Sequence, residues 1–171
     1  HSDDEWHYNT EVLGKPDSTL HGNTHSSGTW QQRSVNLNAQ HNFKKTGHEL
    51  LADLNYIQYE NDSRQNILAG TRFVYVLPSF MKIYNAKVDY SLPVKPGFGV
   101  SAGAKWSRVR NDSRNDYYSV FNTTWHPDYG RSNHFVYDER IYAAYLNTRK
   151  DWKRFGLQMG LRTEHTNVTG H

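Results

Sequence analysis

Ten histidines, no cysteine and a scatter of acidic side chains limit the chemistry open to this 171-residue sequence. A zinc centre needs closely spaced His, Cys or carboxylate ligands. His21 and His25 are four apart, but in a Gly/Ser/Thr-rich stretch rather than on a helix, and no H-E-x-x-H pattern completes them. They read as solvated loop histidines. Asp3-Asp4-Glu5 lacks the spaced oxygen ligands and the glycine of a calcium loop, and reads as a solvated charge run. No G-x-S-x-G elbow and no P-loop occurs. Ser, His and Asp are plentiful, yet no spacing singles out a triad. The expectation is therefore no enzyme, no metal and no cofactor. Two groups with binding chemistry remain. Asn36, Asn38, Asp53, Asn55, Lys87, Asp89, Lys105, Arg162 and Glu164 recur at alternate positions and suit a wet passage, facing a plug or a substrate path. Tyr117, Trp125 and Tyr129, with Tyr118 and Phe121, crowd one polar segment. Such aromatics could stack on sugar rings or on a partner protein, or fold the segment onto itself.

What must position these residues is a set of long strands. Six runs alternate apolar and polar residues, at about 30–43, 48–62, 80–93, 99–110, 134–150 and 155–166. Period-two alternation is the strand signal. Val35, Leu37, Ala39 and Phe43 oppose Asn36, Asn38, Gln40 and Asn42; Tyr84, Ala86, Val88, Tyr90 and Leu92 oppose Asn85, Lys87, Asp89 and Ser91. Three tight turns, 44–47, 94–99 and 151–156, join the runs in pairs. The arms are about twice the usual soluble strand length. Long polar stretches, about 63–79 and 111–133, separate the hairpins and are expected as loops, as is the Gly/Ser/Asn-rich segment 1–28. Asn61-Asp-Ser-Arg and Asn111-Asp-Ser-Arg echo each other where strands two and four enter those loops.

No stretch approaches the roughly 18–20 apolar residues of a membrane helix. A membrane strand needs apolar side chains only at every second position. The apolar faces carry no charge over four or five alternate positions, which is what a crossing of about ten tilted residues requires. Asp53, Lys87, Asp89, Lys105, Arg162 and Glu164 fall on the opposite faces. They would be intolerable unpaired in a packed core. The expected fold is all-β: an antiparallel, up-and-down transmembrane β-barrel segment of about six long strands as three hairpins with long external loops. Residues 1–28 would be a polar external loop, and 29–171 a partial outer-membrane barrel wall. Short turns belong on the periplasmic side. Phe43, Leu50, Tyr90, Leu92, Phe98, Trp152 and Phe155 would lie near the inner interface, and Tyr56, Tyr59, Tyr84, Trp106 and Tyr137 toward the outer one.

Other classes fit less well. The net charge is only +3 and the basic residues are scattered, so no nucleic-acid face is expected. Asn61, Asn111, Asn122 and Asn167 stand in N-x-[ST] sequons, which in a bacterial outer membrane are only polar turn chemistry. A soluble β-sheet binding module, an adhesin or carbohydrate binder, would explain the alternation, but needs a cover for six apolar faces and would stay monomeric without detergent. An outer-membrane hydrolase would need a Ser–His pair within hydrogen-bond reach. The first residues lack a signal peptide's basic and apolar regions, and the chain starts and ends in loop-like sequence, as expected of a mature product or a fragment.

Four segments carry a family resemblance: Ile83-Tyr-Asn-Ala-Lys-Val-Asp-Tyr, Gly130-Arg-Ser-Asn-His-Phe, Ala143-Ala-Tyr-Leu-Asn and Gly160-Leu-Arg-Thr-Glu-His-Thr. In order and spacing they resemble the C-terminal barrel of TonB-dependent outer-membrane receptors, in the SusC-related outer membrane protein beta-barrel family, over about residues 29–170. The resemblance implies a wall in a barrel of about twenty-two strands, in the outer membrane of a Gram-negative cell. It implies uptake of a large nutrient, an iron chelate or a glycan. The implied partners are outer-membrane lipid, a plug domain and the remaining strands of the same receptor, the TonB complex through a missing N-terminal part, and a surface lipoprotein. This segment carries no plug and no TonB box, so it is not expected to transport alone.

Overall fold

The computed structural model describes residues 2–12 and 15–171, with the side chains of Asp4 and of residues 22–171. Those residues form nine strands in one sheet: β1 Ser2–Val12, β2 Lys15–Asn42, β3 Glu49–Ala69, β4 Thr71–Val76, β5 Ser79–Lys95, β6 Phe98–Phe121, β7 Thr124–Pro127, β8 Asn133–Asp151 and β9 Gly156–Gly170. The order is β1-β2-β3-β4-β6-β8-β9, with β5 also between β3 and β6, and β7 on β6. All six expected strands and all three short turns are present.

The loops are not where the sequence puts them. Residues 2–12 and 15–28 pair as an antiparallel hairpin, Ser2 opposite Ser26 and Val12 opposite Lys15. The stretch 63–79 continues β3, reverses at Gly70 and returns as β4, with Arg64 opposite Val76 and Ala69 opposite Thr71. The stretch 111–133 continues β6 and reverses at Asn122-Thr123, both at positive φ (45° and 68°), into β7. The polarity that suggested loops reflects strands with water on both faces, which need no apolar alternation. The repeated Asn-Asp-Ser-Arg motif therefore lies within strands. It flanks the break at Leu77-Pro78 between β4 and β5: Leu77 N–H donates to Ser63 O (2.8 Å), and Arg114 N–H to Pro78 O (3.0 Å).

Two compact units divide these strands: residues 1–32, 59–80 and 112–136 form the first, and residues 33–58, 81–111 and 137–171 the second. The first has an aromatic cluster. Its β4 pairs with β6, Phe73 opposite Ser119 and Tyr75 opposite Tyr117, and Val74 on the other face is fully buried. The second contains the short turns. At one of them Gly97 takes a left-handed φ of 68°, and a Cβ there would meet Asp151 O at 2.8 Å, because Asp151 N–H donates to Gly97 O at 2.7 Å. Gly97→Ala is expected to cost about 1–2 kcal/mol from the left-handed conformation alone. It should appear as a lower urea midpoint for the protein refolded in lipid vesicles.

Candidate functional site

In the second unit, strand alternation sorts the side chains onto two faces, and contacts fix which residues share them. The pairing of β8 with β9 sets Tyr142, Ala144 and Leu146 opposite His165, Thr163 and Leu161 on one face, and Ala143, Tyr145 and Asn147 opposite Glu164, Arg162 and Gly160 on the other. On the first face Phe43 stacks on His48 at 3.9 Å, and His48 Nε2 lies 2.8 Å from the Tyr90 hydroxyl. Further along it, Tyr84 meets Tyr56 at 5.1 Å and Trp106 at 6.5 Å between ring centroids. Between these aromatic groups the face carries Leu50, Ala52 and Leu54 on β3, Ala86 and Val88 on β5, and Val100, Ala102 and Ala104 on β6. No charge interrupts it. From Tyr84 to Val94 the strand climbs roughly 33 Å. At the usual tilt that is about 25 Å, the height of an outer-membrane apolar band.

Nothing in the chain covers this face. Leu37 is 62% exposed and Leu161 76%. The buried hydrophobic residues among those described are Val74, Tyr117, Val136 and Ala143, none of them on it. A soluble sheet would have to bury these side chains; here they wait for a solvent as apolar as themselves.

The other face is wet. Asn36 Nδ2 donates to Asn55 Oδ1, and Asn38 Nδ2 to Asn36 Oδ1. Lys87 pairs with Asp89, and Asp89 also accepts from the Tyr145 hydroxyl on β8. Arg162 Nη2 lies 2.6 Å from Glu164 Oε2. Asp53 and Lys105 join them by alternation. All nine polar residues singled out in the sequence thus share one face. Tyr59 and Tyr137 depart from expectation. Tyr59 has the parity of Asn55 and Tyr137 that of Tyr145, so both lie on the wet-face side of their strands, and the aromatic row of the apolar face is Tyr56, Tyr84, Trp106 and Tyr142.

The aromatic trio splits. Tyr117 is 2% exposed and cannot serve as a ligand contact. It stacks on Phe73 (5.6 Å) and meets Tyr75 edge-on (4.6 Å), while the Arg131 guanidinium lies 5.0 Å above its ring and Arg131 Nη1 donates to its hydroxyl at 2.7 Å. Burial, and after it the neighbouring Tyr117, raises the pKa of the Tyr75 phenol. This cluster folds the turn 128–132 down: Asp128 N–H donates to Tyr117 O (2.9 Å), and Tyr117 N–H to Ser132 Oγ (3.0 Å). Trp125 remains 41% exposed, beside Tyr118 and under the Arg64 guanidinium, and Tyr129 is 84% exposed. His25 is described within β2 rather than in a loop, and His21 lies outside the described side chains. Among the described residues no three His, Asp or Glu gather as metal ligands.

An antiparallel sheet with one charge-free face left open and one charged, wet face is a membrane β-barrel wall. The chain belongs to the outer membrane protein beta-barrel family, whose model matches residues 41–171. That membership makes it an outer-membrane protein of a Gram-negative cell. No curated protein matches its sequence.

Proposed function

We propose that this chain is wall of a TonB-dependent receptor that takes up a large nutrient, an iron chelate or a glycan. The observation that carries the reading is the wet face of the second unit. Lys87, Asp89, Arg162 and Glu164 are paired there, and Asn36, Asn38 and Asn55 hydrogen-bond one another. So dense a polar lining suits a wide lumen that contacts a plug domain rather than a small, side-chain-filled barrel. In this reading Asn36, Asn38, Asp53, Asn55, Lys87, Asp89, Lys105, Arg162 and Glu164 face the plug or the substrate path. The first unit is external, and Trp125 and Tyr129 are its aromatic contacts for a nutrient or a surface lipoprotein. The wall performs no catalysis. It bounds the passage, while energy arrives through TonB acting on the plug.

The test uses the complete protein. Its purified form should bind the periplasmic domain of TonB, and a protonophore should abolish nutrient accumulation by cells that express it. A complete protein that lacks a plug domain and does not bind TonB overturns this reading.

A further inference from the structure

On three neighbouring strands the apolar face ends in the same way. Along β5 it runs Ala86, Tyr84, Lys82; along β6, Ala104, Trp106, Arg108; along β8, Ala144, Tyr142, Arg140. Each strand thus steps from alanine to aromatic ring to cation at alternate positions, and β5 pairs with β6 in the sheet. Contacts tie the ends together. Arg108 grips Asp138 through both Nε, at 3.0 Å, and Nη2, and Arg140 Nε lies 3.2 Å from the same carboxylate. The three alanines floor a groove of about 510 Å³, walled by Val88, Trp106 and Tyr142.

We propose that this face is a binding site for one phosphorylated lipid of the outer leaflet, lipid A. Its phosphate would sit by Arg140 and Lys82, and an acyl chain would lie in the alanine groove. Charge complementarity selects the occupant. Three cations and one carboxylate leave the rim positive, beside a cleft shaped for hydrocarbon, so an anionic headgroup bearing apolar chains satisfies both. From cation to alanine is four residues, roughly 13 Å of strand, which places the charges just outside the hydrocarbon and the alanines inside it. Long basic side chains at that level reach anionic headgroups. An unphosphorylated lipid would fill the groove and leave the cations facing water.

The proposal rests on the apolar face touching lipid, and the experiment separates the two. The complete protein, reconstituted in nanodiscs, is titrated with lipid A and with lipid A stripped of its phosphates. Lys82→Gln with Arg140→Gln should weaken lipid A binding about thirtyfold, leaving the Arg108–Asp138 pair intact. Ala104→Leu, which fills the groove from the lipid side, should weaken it at least fivefold. Dephosphorylated lipid A should bind the unaltered protein as poorly as phosphorylated lipid A binds the charge variant. Equal lipid A binding by the unaltered protein and both variants overturns the site. In parallel, a bimane label on Ala102→Cys, outside the groove, should be quenched by doxyl-labelled phosphatidylcholine in every variant. Absence of that quenching would mean instead that the face does not meet lipid at all.

Discussion

Ala102→Arg is expected to cost about 2–4 kcal/mol of barrel stability, whereas Ser101→Arg, one residue away, should change it by about 0.5 kcal/mol or less. The two positions are adjacent on β6 and differ only in the face they occupy. Ala102 shares its face with Val100, Ala104 and Trp106, midway between the Phe43–His48–Tyr90 group and the Tyr56–Tyr84–Trp106 row. A guanidinium there must stay in hydrocarbon or stretch to an interface. Ser101 shares its face with Gly103 and Lys105, where charge is already solvated or paired. Equilibrium urea unfolding of the complete protein in lipid vesicles reads both values. Comparable losses for the two variants would sink the assignment of faces, because no difference in helix or sheet propensity separates one strand position from the next.

The alternation was legible because it is local. A strand with lipid on one side and water on the other must repeat every two residues, so Val88 against Asp89, or Leu161 against Arg162, shows its face in the sequence alone. The charged lining followed for the same reason. The hairpins of the first unit were not legible. Residues 63–76 and 112–127 are strands whose two faces are both largely polar, and with no apolar period they resemble loop sequence. Tyr117 shows the limit for the site. Its type and polar neighbours suggested an exposed contact, and only the pairing with Tyr75 and the cover by Arg131 bury it. The cation-to-alanine steps on β5, β6 and β8 are present in the sequence, but they align as a feature only when the three strands are set side by side. The wet-face residues likewise gave no sign of which would touch: Asp89 and Tyr145 are 56 positions apart and meet across an intervening strand.

That meeting depends on Gly103, and Gly103→Ala is the second large effect. β6 lies between β5 and β8, so Tyr145 must pass over β6 to place its hydroxyl on Asp89. Gly103 is the point of passage. A Cβ there would come within 2.5 Å of the Tyr145 ring and hydroxyl and 2.6 Å of Asp89 Oδ1. The ring cannot yield without releasing the carboxylate, which would keep only Lys87. Forced repacking costs about 1–3 kcal/mol, and a hydrogen bond to a charged group about 1.5–3 kcal/mol. With partial relaxation the expected total is about 2–4 kcal/mol. A double-mutant cycle isolates the cause. In a Tyr145→Ala background the same Gly103→Ala change should cost almost nothing, since the methyl group then occupies space the ring has vacated. If instead the two losses simply add, Gly103 is needed for its backbone, and the ring crossing has no part in holding β5, β6 and β8 in register.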